Sequence, residues 1–243
     1  MRKFLRLLAI TSAVLCSGTA LAGPVLTFEN PDLTFAPFAP LLSHGDALIE
    51  GDFVMGMDAG KAGSSGNDLV GSLISGADPS VCSILICPRN NATQYLAALN
   101  DGIPYLFRLD GSAFSLSGFS ASFIANGVTA PPAIAMLLRV QGFLGDGLVA
   151  QQDFLLPGLV GGGLDFASYS FNSTFRGLTE VDFIGFACNA AGSCNRNTDL
   201  AQFALDNISV VSAVPEPSTL ALVSLALVGA GATRRRRPMS GMT

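Results

Sequence analysis

Between residues 23 and 213 the apolar side chains recur at every second position over short runs, and that period of two constrains the fold more than any motif does. In residues 134–141, Ile134, Met136, Leu138 and Val140 share one parity, while Arg139 and Gln141 fall on the other. A strand turns successive side chains to opposite faces, so one face of this segment is core and the other is solvent. Residues 25–29, 48–55, 105–109, 113–125, 148–155, 166–171, 178–186 and 202–211 read as strands on the same grounds. Asp110-Gly111, Asn126-Gly127, Asp146-Gly147 and Gly161-Gly162-Gly163 punctuate them with turn chemistry. Many short strands with no long helical period predict an all-β protein, an antiparallel β-sandwich of jelly-roll type.

Two of these strands change phase. Phe114 and Leu116 are even, but after Gly118 come Phe119 and Phe123; Phe203 and Leu205 are odd, but after Asp206-Asn207 come Ile208 and Val210. One extra residue in a strand produces such a switch, so bulges are expected at Gly118 and at Asp206, the latter aiming its carboxylate out of the regular ladder.

The two ends have a different character. Arg2, Lys3 and Arg6 precede an apolar run from Leu7 to Leu15, and Ala20-Leu21-Ala22 precedes Gly23. That order is a secretory signal peptide, residues 1–22, cleaved between Ala22 and Gly23. At the other end Pro215-Glu216-Pro217 is followed by an uncharged apolar stretch, 219–233, and by Arg234, Arg235, Arg236 and Arg237. The stretch spans about 22 Å as a helix, short for a stable bilayer span, and the arginines would stop transfer and hold the C-terminus in the cytoplasm. Together the triplet, helix and arginine cluster resemble, over about residues 214–237, the PEP-CTERM sorting signal of Gram-negative bacteria, which makes 214–243 the sorting tail. Gln202-Phe203-Ala204-Leu205-Asp206 also resembles the Q-F-x-x-D segment of one subgroup. The resemblance implies a substrate of exosortase, a membrane-embedded cysteine transpeptidase. It implies processing near Pro215 to Pro217, transient residence in the inner membrane, and delivery to a cell surface or an extracellular matrix of exopolysaccharide or biofilm.

Residues 23–213 form one expected domain. It holds six basic residues (Lys61, Arg89, Arg108, Arg139, Arg176, Arg196) against seventeen acids, a balance of about −11, where the whole chain carries −5. Such a field repels nucleic acid, so no nucleic-acid partner is expected, and favours divalent cations. Cys16 lies in the leader. The remaining Cys82, Cys87, Cys188 and Cys194 fall in two close pairs, read in an oxidising compartment as disulfides 82–87 and 188–194; a four-cysteine zinc site is the alternative.

Catalytic patterns are scarce. His44 is the only histidine and sits in a turn-like Ser43-His44-Gly45-Asp46, read as a solvated loop; Gly63-Ser64-Ser65-Gly66 lacks the spacing of a nucleophile elbow. Seventeen acids leave a glycoside hydrolase pair open without pointing to one. The acids at the two ends of the domain are more specific: Glu29 in the opening strand and Asp206 in the closing one resemble the pair that shares a structural calcium in jelly-roll carbohydrate-binding modules. Sugar docking usually recruits Trp or Tyr, however, and this chain has no Trp and only Tyr95, Tyr105 and Tyr169 beside seventeen Phe. The three N-x-[ST] tripeptides at Asn91, Asn172 and Asn207 are read as chance. The expectation is therefore a non-enzymatic, exosortase-sorted surface protein with no certain cofactor. A calcium-stabilised carbohydrate-binding module is the alternative and a secreted glycoside hydrolase comes after it.

Overall fold

A computed structural model describes residues 23–60, 64–78, 82–127 and 130–211. The signal peptide, the Pro215-Glu216-Pro217 triplet, the 219–233 stretch and Arg234 to Arg237 lie outside the described residues. Among those described there is no helix long and apolar enough to cross a membrane. Gly23–Ala213 clusters as one compact unit.

Fifteen strands follow one another: β1 (Val25–Leu26), β2 (Asp32–Phe35), β3 (Leu41–Ser43), β4 (Ala47–Glu50), β5 (Phe53–Asp58), β6 (Leu69–Ser75), β7 (Gln94–Ala98), β8 (Ile103–Arg108), β9 (Ser115–Phe123), β10 (Ile134–Leu144), β11 (Gly147–Pro157), β12 (Ala167–Ser170), β13 (Glu180–Cys188), β14 (Cys194–Asn195) and β15 (Phe203–Val211). They build a seven-stranded sheet, ordered β12-β9-β15-β7-β6-β3 with β1 also on β15, and an eight-stranded sheet, ordered β11-β10-β13-β8-β5-β4-β2 with β14 on β13. All strand pairings between named strands are antiparallel. The protein is thus the expected two-sheet sandwich.

Alternation does the work at the sheet interface. Met136, Leu138 and Val140 of β10 meet Val181 and Phe183 of β13, Leu106 of β8 and Met55 and Met57 of β5 in the main core. Rings fill one end of it: Phe119 lies 5.0 Å from Phe154, 5.1 Å from Phe171 and 5.7 Å from Phe183. A second, smaller cluster (Ile74, Tyr95, Ala97, Leu99, Ile124, Ala204) lies on the other face of the seven-stranded sheet, packed against Cys82, Leu85, Cys87 and Phe166.

Several boundaries differ from the sequence reading. Residues 48–55 are not one strand but the hairpin β4-β5, where Glu50 faces Phe53 across Gly51-Asp52, with Gly51 at φ +60°. The opening strand ends at Leu26, because Phe28 adopts φ 59°, a left-handed conformation that breaks a strand; Glu29 therefore follows β1 rather than lying in it. Strands β2, β3, β6, β7 and β14 lie outside the runs whose alternation reads as strand. Both bulges are present: the β9–β15 register shifts between Asp206 and Ser209 and again between Ser209 and Val210, whose partners are Gly118 and Leu116.

Candidate functional site

Two carboxylate-bearing regions lie on different sheets. The first is a seam in the seven-stranded sheet. Along one side of β15 the partner changes from β7, which pairs Phe203 to Leu205, to β1, which pairs Ile208 and Ser209. Asp206-Asn207 fills the gap, with Asn207 at φ 51°, and Asp206 is only 1% exposed. Its Oδ1 accepts the Asn207 backbone N–H at 2.7 Å, and its Oδ2 accepts the side-chain amides of Asn91 at 2.7 Å and Asn207 at 2.9 Å. The Asn91 amide is fixed in that sense, because its own oxygen accepts the Thr93 backbone N–H at 2.8 Å and the Thr93 hydroxyl. Asn91-Ala92-Thr93 and Asn172-Ser173-Thr174 are in this way local side-chain turns, a structural reason for the N-x-T pattern.

Two further carboxylates serve the chain after β1. Glu29 Oε1 accepts the Gln94 N–H at 2.7 Å, while Glu50, absent from the sequence reading, accepts the N–H of Thr27 at 3.0 Å and of Phe28 at 2.9 Å. Burial pushes the Asp206 carboxyl up to about 6; the bonds from Asn207 and Asn91 oppose that rise, and the charges of Glu29 and Glu50 add to it. The structure thus brings Glu29 and Asp206 to one locality and adds Glu50. A calcium ion asks for six to eight oxygens. Among the described residues no three His, Cys, Asp or Glu side chains are grouped to hold a metal. Both oxygens of Asp206 and both of Glu50 already accept hydrogen bonds from amide N–H groups. As arranged, the seam is closed by amides, and a cation would have to displace some of them.

The second region is the outer face of the eight-stranded sheet. Tyr105, Asp182, Gln141 and Gln151 stand opposite one another across β8, β13, β10 and β11, on the parity that faces away from Leu106, Val181 and Val140. The rings of Tyr105 and Phe107 are parallel within 10°, centroids 6.0 Å apart. The Tyr105 ring crosses its β5 neighbour Gly56: a Cβ there would lie 2.2 Å from Cζ, so only glycine lets the ring lie down. Gln141 donates to Gln151 at 2.9 Å. Beside them Asp182 Oδ1 is buried without a hydrogen-bond partner among the described residues. Burial first, then the charges of Glu180 and Asp58, push the Asp182 carboxyl up to about 6, and Arg196 opposes. Tyr105 is raised as well, by burial and then by Asp58, Glu180 and Asp182. Nothing local in the sequence marks this row, since its members lie on four separate strands.

The remaining candidates are structural. Cys82 is bonded to Cys87 and Cys188 to Cys194, the pairings expected, and the four-cysteine zinc alternative is thereby overturned. Cys188 and Cys194 face each other across β13 and β14, while Cys82 and Cys87 close a loop over the smaller cluster. His44 is half-buried, its Nδ1 accepting the Ala59 N–H at 3.2 Å, rather than solvated.

By fold the protein is an acidic, disulfide-bonded, two-sheet antiparallel β-sandwich. Residues 213–237 match the family described as the PEP-CTERM protein-sorting motif, and the chain carries that motif. Gln202 to Asp206 lies upstream of the matched residues. No curated protein matches the chain in sequence. Among solved structures, a DUF4465 family protein from Bacteroides caccae is 15% identical over 78% of this chain and 98% of its own, with a TM-score of 0.46. The CBM22-2 xylan-binding domain from Paenibacillus barcinonensis Xyn10C is 10% identical over 78% and 98%, with a TM-score of 0.36. An arabinose-bound α-L-arabinofuranosidase is 14% identical over 80% of this chain and 27% of its own, at 0.37.

Proposed function

We propose that the protein is a non-enzymatic component of the cell surface or extracellular matrix, exported and anchored transiently in the inner membrane until an exosortase processes it near Pro215 to Pro217. The observation that carries this reading is a sorting motif at 213–237 behind a compact, strongly acidic sandwich. Mass spectrometry of the mature protein from its own cells tests it. A C-terminus near Pro215 to Pro217 is expected; a tail retaining Arg234 to Arg237 would overturn the processing step.

A second reading, a calcium-stabilised carbohydrate-binding module, is favoured by Glu29 and Glu50, whose charges act on the buried Asp206, and by the Tyr105 and Phe107 rings on the other sheet. In that reading Asp206 and Glu29 bind the ion once it displaces amide donors. Millimolar calcium should then raise the melting temperature at pH 7.5 in the parent and not in Asp206→Asn; no shift in the parent sinks the calcium. Hydrolysis is the weaker reading, because Asp182, Glu180 and Asp58 lie on the face of one sheet whereas a glycosidase sets two carboxyls on either side of the scissile bond.

A further inference from the structure

We infer that the outer face of the eight-stranded sheet, centred on Tyr105 and Asp182, is a docking surface for an uncharged polysaccharide; this rests on the second reading above and assigns it a site. Four features point to such a ligand. The parallel Tyr105 and Phe107 rings, both partly exposed, give apolar surface on this face, and the C–H face of a pyranose or furanose packs on such rings. Gly56 keeps Tyr105 lying across the sheet, and a side chain there would lift it.

Next to the rings stands an acceptor without a donor. Asp182 Oδ1 is closed to solvent and has no hydrogen-bond partner among the described residues. The carboxyl's other oxygen, not closed in this way, is the one that a ligand hydroxyl can reach, and that bond would offset part of the cost of holding the carboxylate half-buried. A sugar offers hydroxyl donors at the height of its ring edge, whereas an apolar ligand offers none. Gln141 and Gln151, in the same cross-strand row, add amide groups that both donate and accept, which suits hydroxyls and their dual character.

Charge then selects among glycans. The charges of Glu180 and Asp58 act on Asp182 here, with Arg196 opposing them. Arg139 is held by Asp153 at 2.8 Å through two bonds, Arg108 lies 3.4 Å from both Asp52 and Asp110, and Arg196 donates to the Gly60 carbonyl at 3.4 Å. A uronate or sulfated chain would meet three carboxylates opposed only by Arg196, while a neutral chain pays no such repulsion.

Affinity electrophoresis of the full-length protein through gels containing arabinoxylan, mixed-linkage glucan or galactomannan (neutral) and alginate or polygalacturonate (anionic) tests this. The parent, Tyr105→Ala, Asp182→Ala and, as a control on the other sheet, Glu29→Gln are run together with calcium present. Thermal melting confirms that each variant folds, and Gln141→Ala replaces any that does not. Retardation by at least one neutral glycan, weakened tenfold or more in Tyr105→Ala and Asp182→Ala and kept in Glu29→Gln, is the expected result. Retardation that both sheet-face variants keep overturns the site and leaves the carbohydrate-binding reading standing. Retardation by the anionic glycans alone overturns the selection for neutral chains, and retardation by none overturns site and reading together.

Discussion

Asp206 and Asp182 are both held up to about 6, both chiefly by burial, and both are assisted by two neighbouring carboxylates, yet they are built for different tasks. Asp206 closes a seam: three amide N–H groups converge on its two oxygens where β15 exchanges one partner strand for another. Asp182 closes nothing, and one of its oxygens is buried with no donor among the described residues. A raised carboxyl therefore says only that burial outweighs stabilisation of the charge. The hydrogen-bond partners decide whether that burial serves the fold or waits for a ligand.

The shared property gives the largest expected effect. A carboxyl whose folded value lies above the unfolded value of 3.8 binds its proton more tightly in the native state. Its contribution to stability is complete below pH 3.8 and is lost as pH rises through about 6. For Asp206, 1% exposed, the interval is worth about 3 kcal/mol. Stability measured by urea unfolding without calcium should fall from pH 4 to pH 7. A profile that rises over this interval would mean that neither carboxyl is held high.

The difference between the two sites predicts opposite outcomes for one substitution. Asp206→Ala removes the acceptor of three amide N–H groups, on half-buried Asn91 and exposed Asn207, and about 2 kcal/mol of stability should be lost at pH 7.5 even after the buried charge is relieved. Asp182→Ala strands no donor and removes a charge opposed by Glu180 and Asp58, so stability should stay level or rise. Equal losses would end the distinction between the sites. Gly56→Ala sharpens it from the ligand side. The new methyl, 2.2 Å from Tyr105 Cζ, forces the ring off the sheet and should cost about 1 kcal/mol while leaving the seam's response to pH intact.

How much of this was legible in the sequence depends on whether a strand has one buried face or two. In β10 the parity of Met136, Leu138 and Val140 against Arg139 and Gln141 gave both the strand and its inward face, and the phase switch at Asp206-Asn207 gave the bulge. Strands β6 and β7 show no such alternation, because Val70 to Ile74 and Tyr95 to Ala98 are buried on both faces, one by the sandwich core and the other by the disulfide loop at Cys82–Cys87. A continuous apolar run carries no period to read. Glu50 is hidden because the tight Gly51-Asp52 turn beside it sits inside one apparently continuous strand run, 48–55. The Tyr105–Asp182–Gln141 row is a product of register between segments far apart in the chain, so no local pattern contains it.

The smallest effect tests whether Asp182 stands apart from its own sheet as well as from Asp206. Asp153 lies on the same outer face, and there the hydrogen bond from Arg139, aided by its charge, holds the carboxyl below its usual value against the opposing effect of burial. Its contribution is therefore present above 3.8 and lost as pH falls through the lowered value, the reverse of Asp182. The pair is partly exposed, at 32% and 35% of its side chains, and solvent screens it, so Arg139→Ala should cost about 0.5 kcal/mol at pH 7. It should leave the slope between pH 4 and pH 7 unchanged, since that slope belongs to Asp182 and Asp206. If the slope shifts by as much as the stability does, the guanidinium of Arg139 reaches Asp182. The sheet face would then be a single charge network, with the unpartnered oxygen as its least satisfied member and not a separate site.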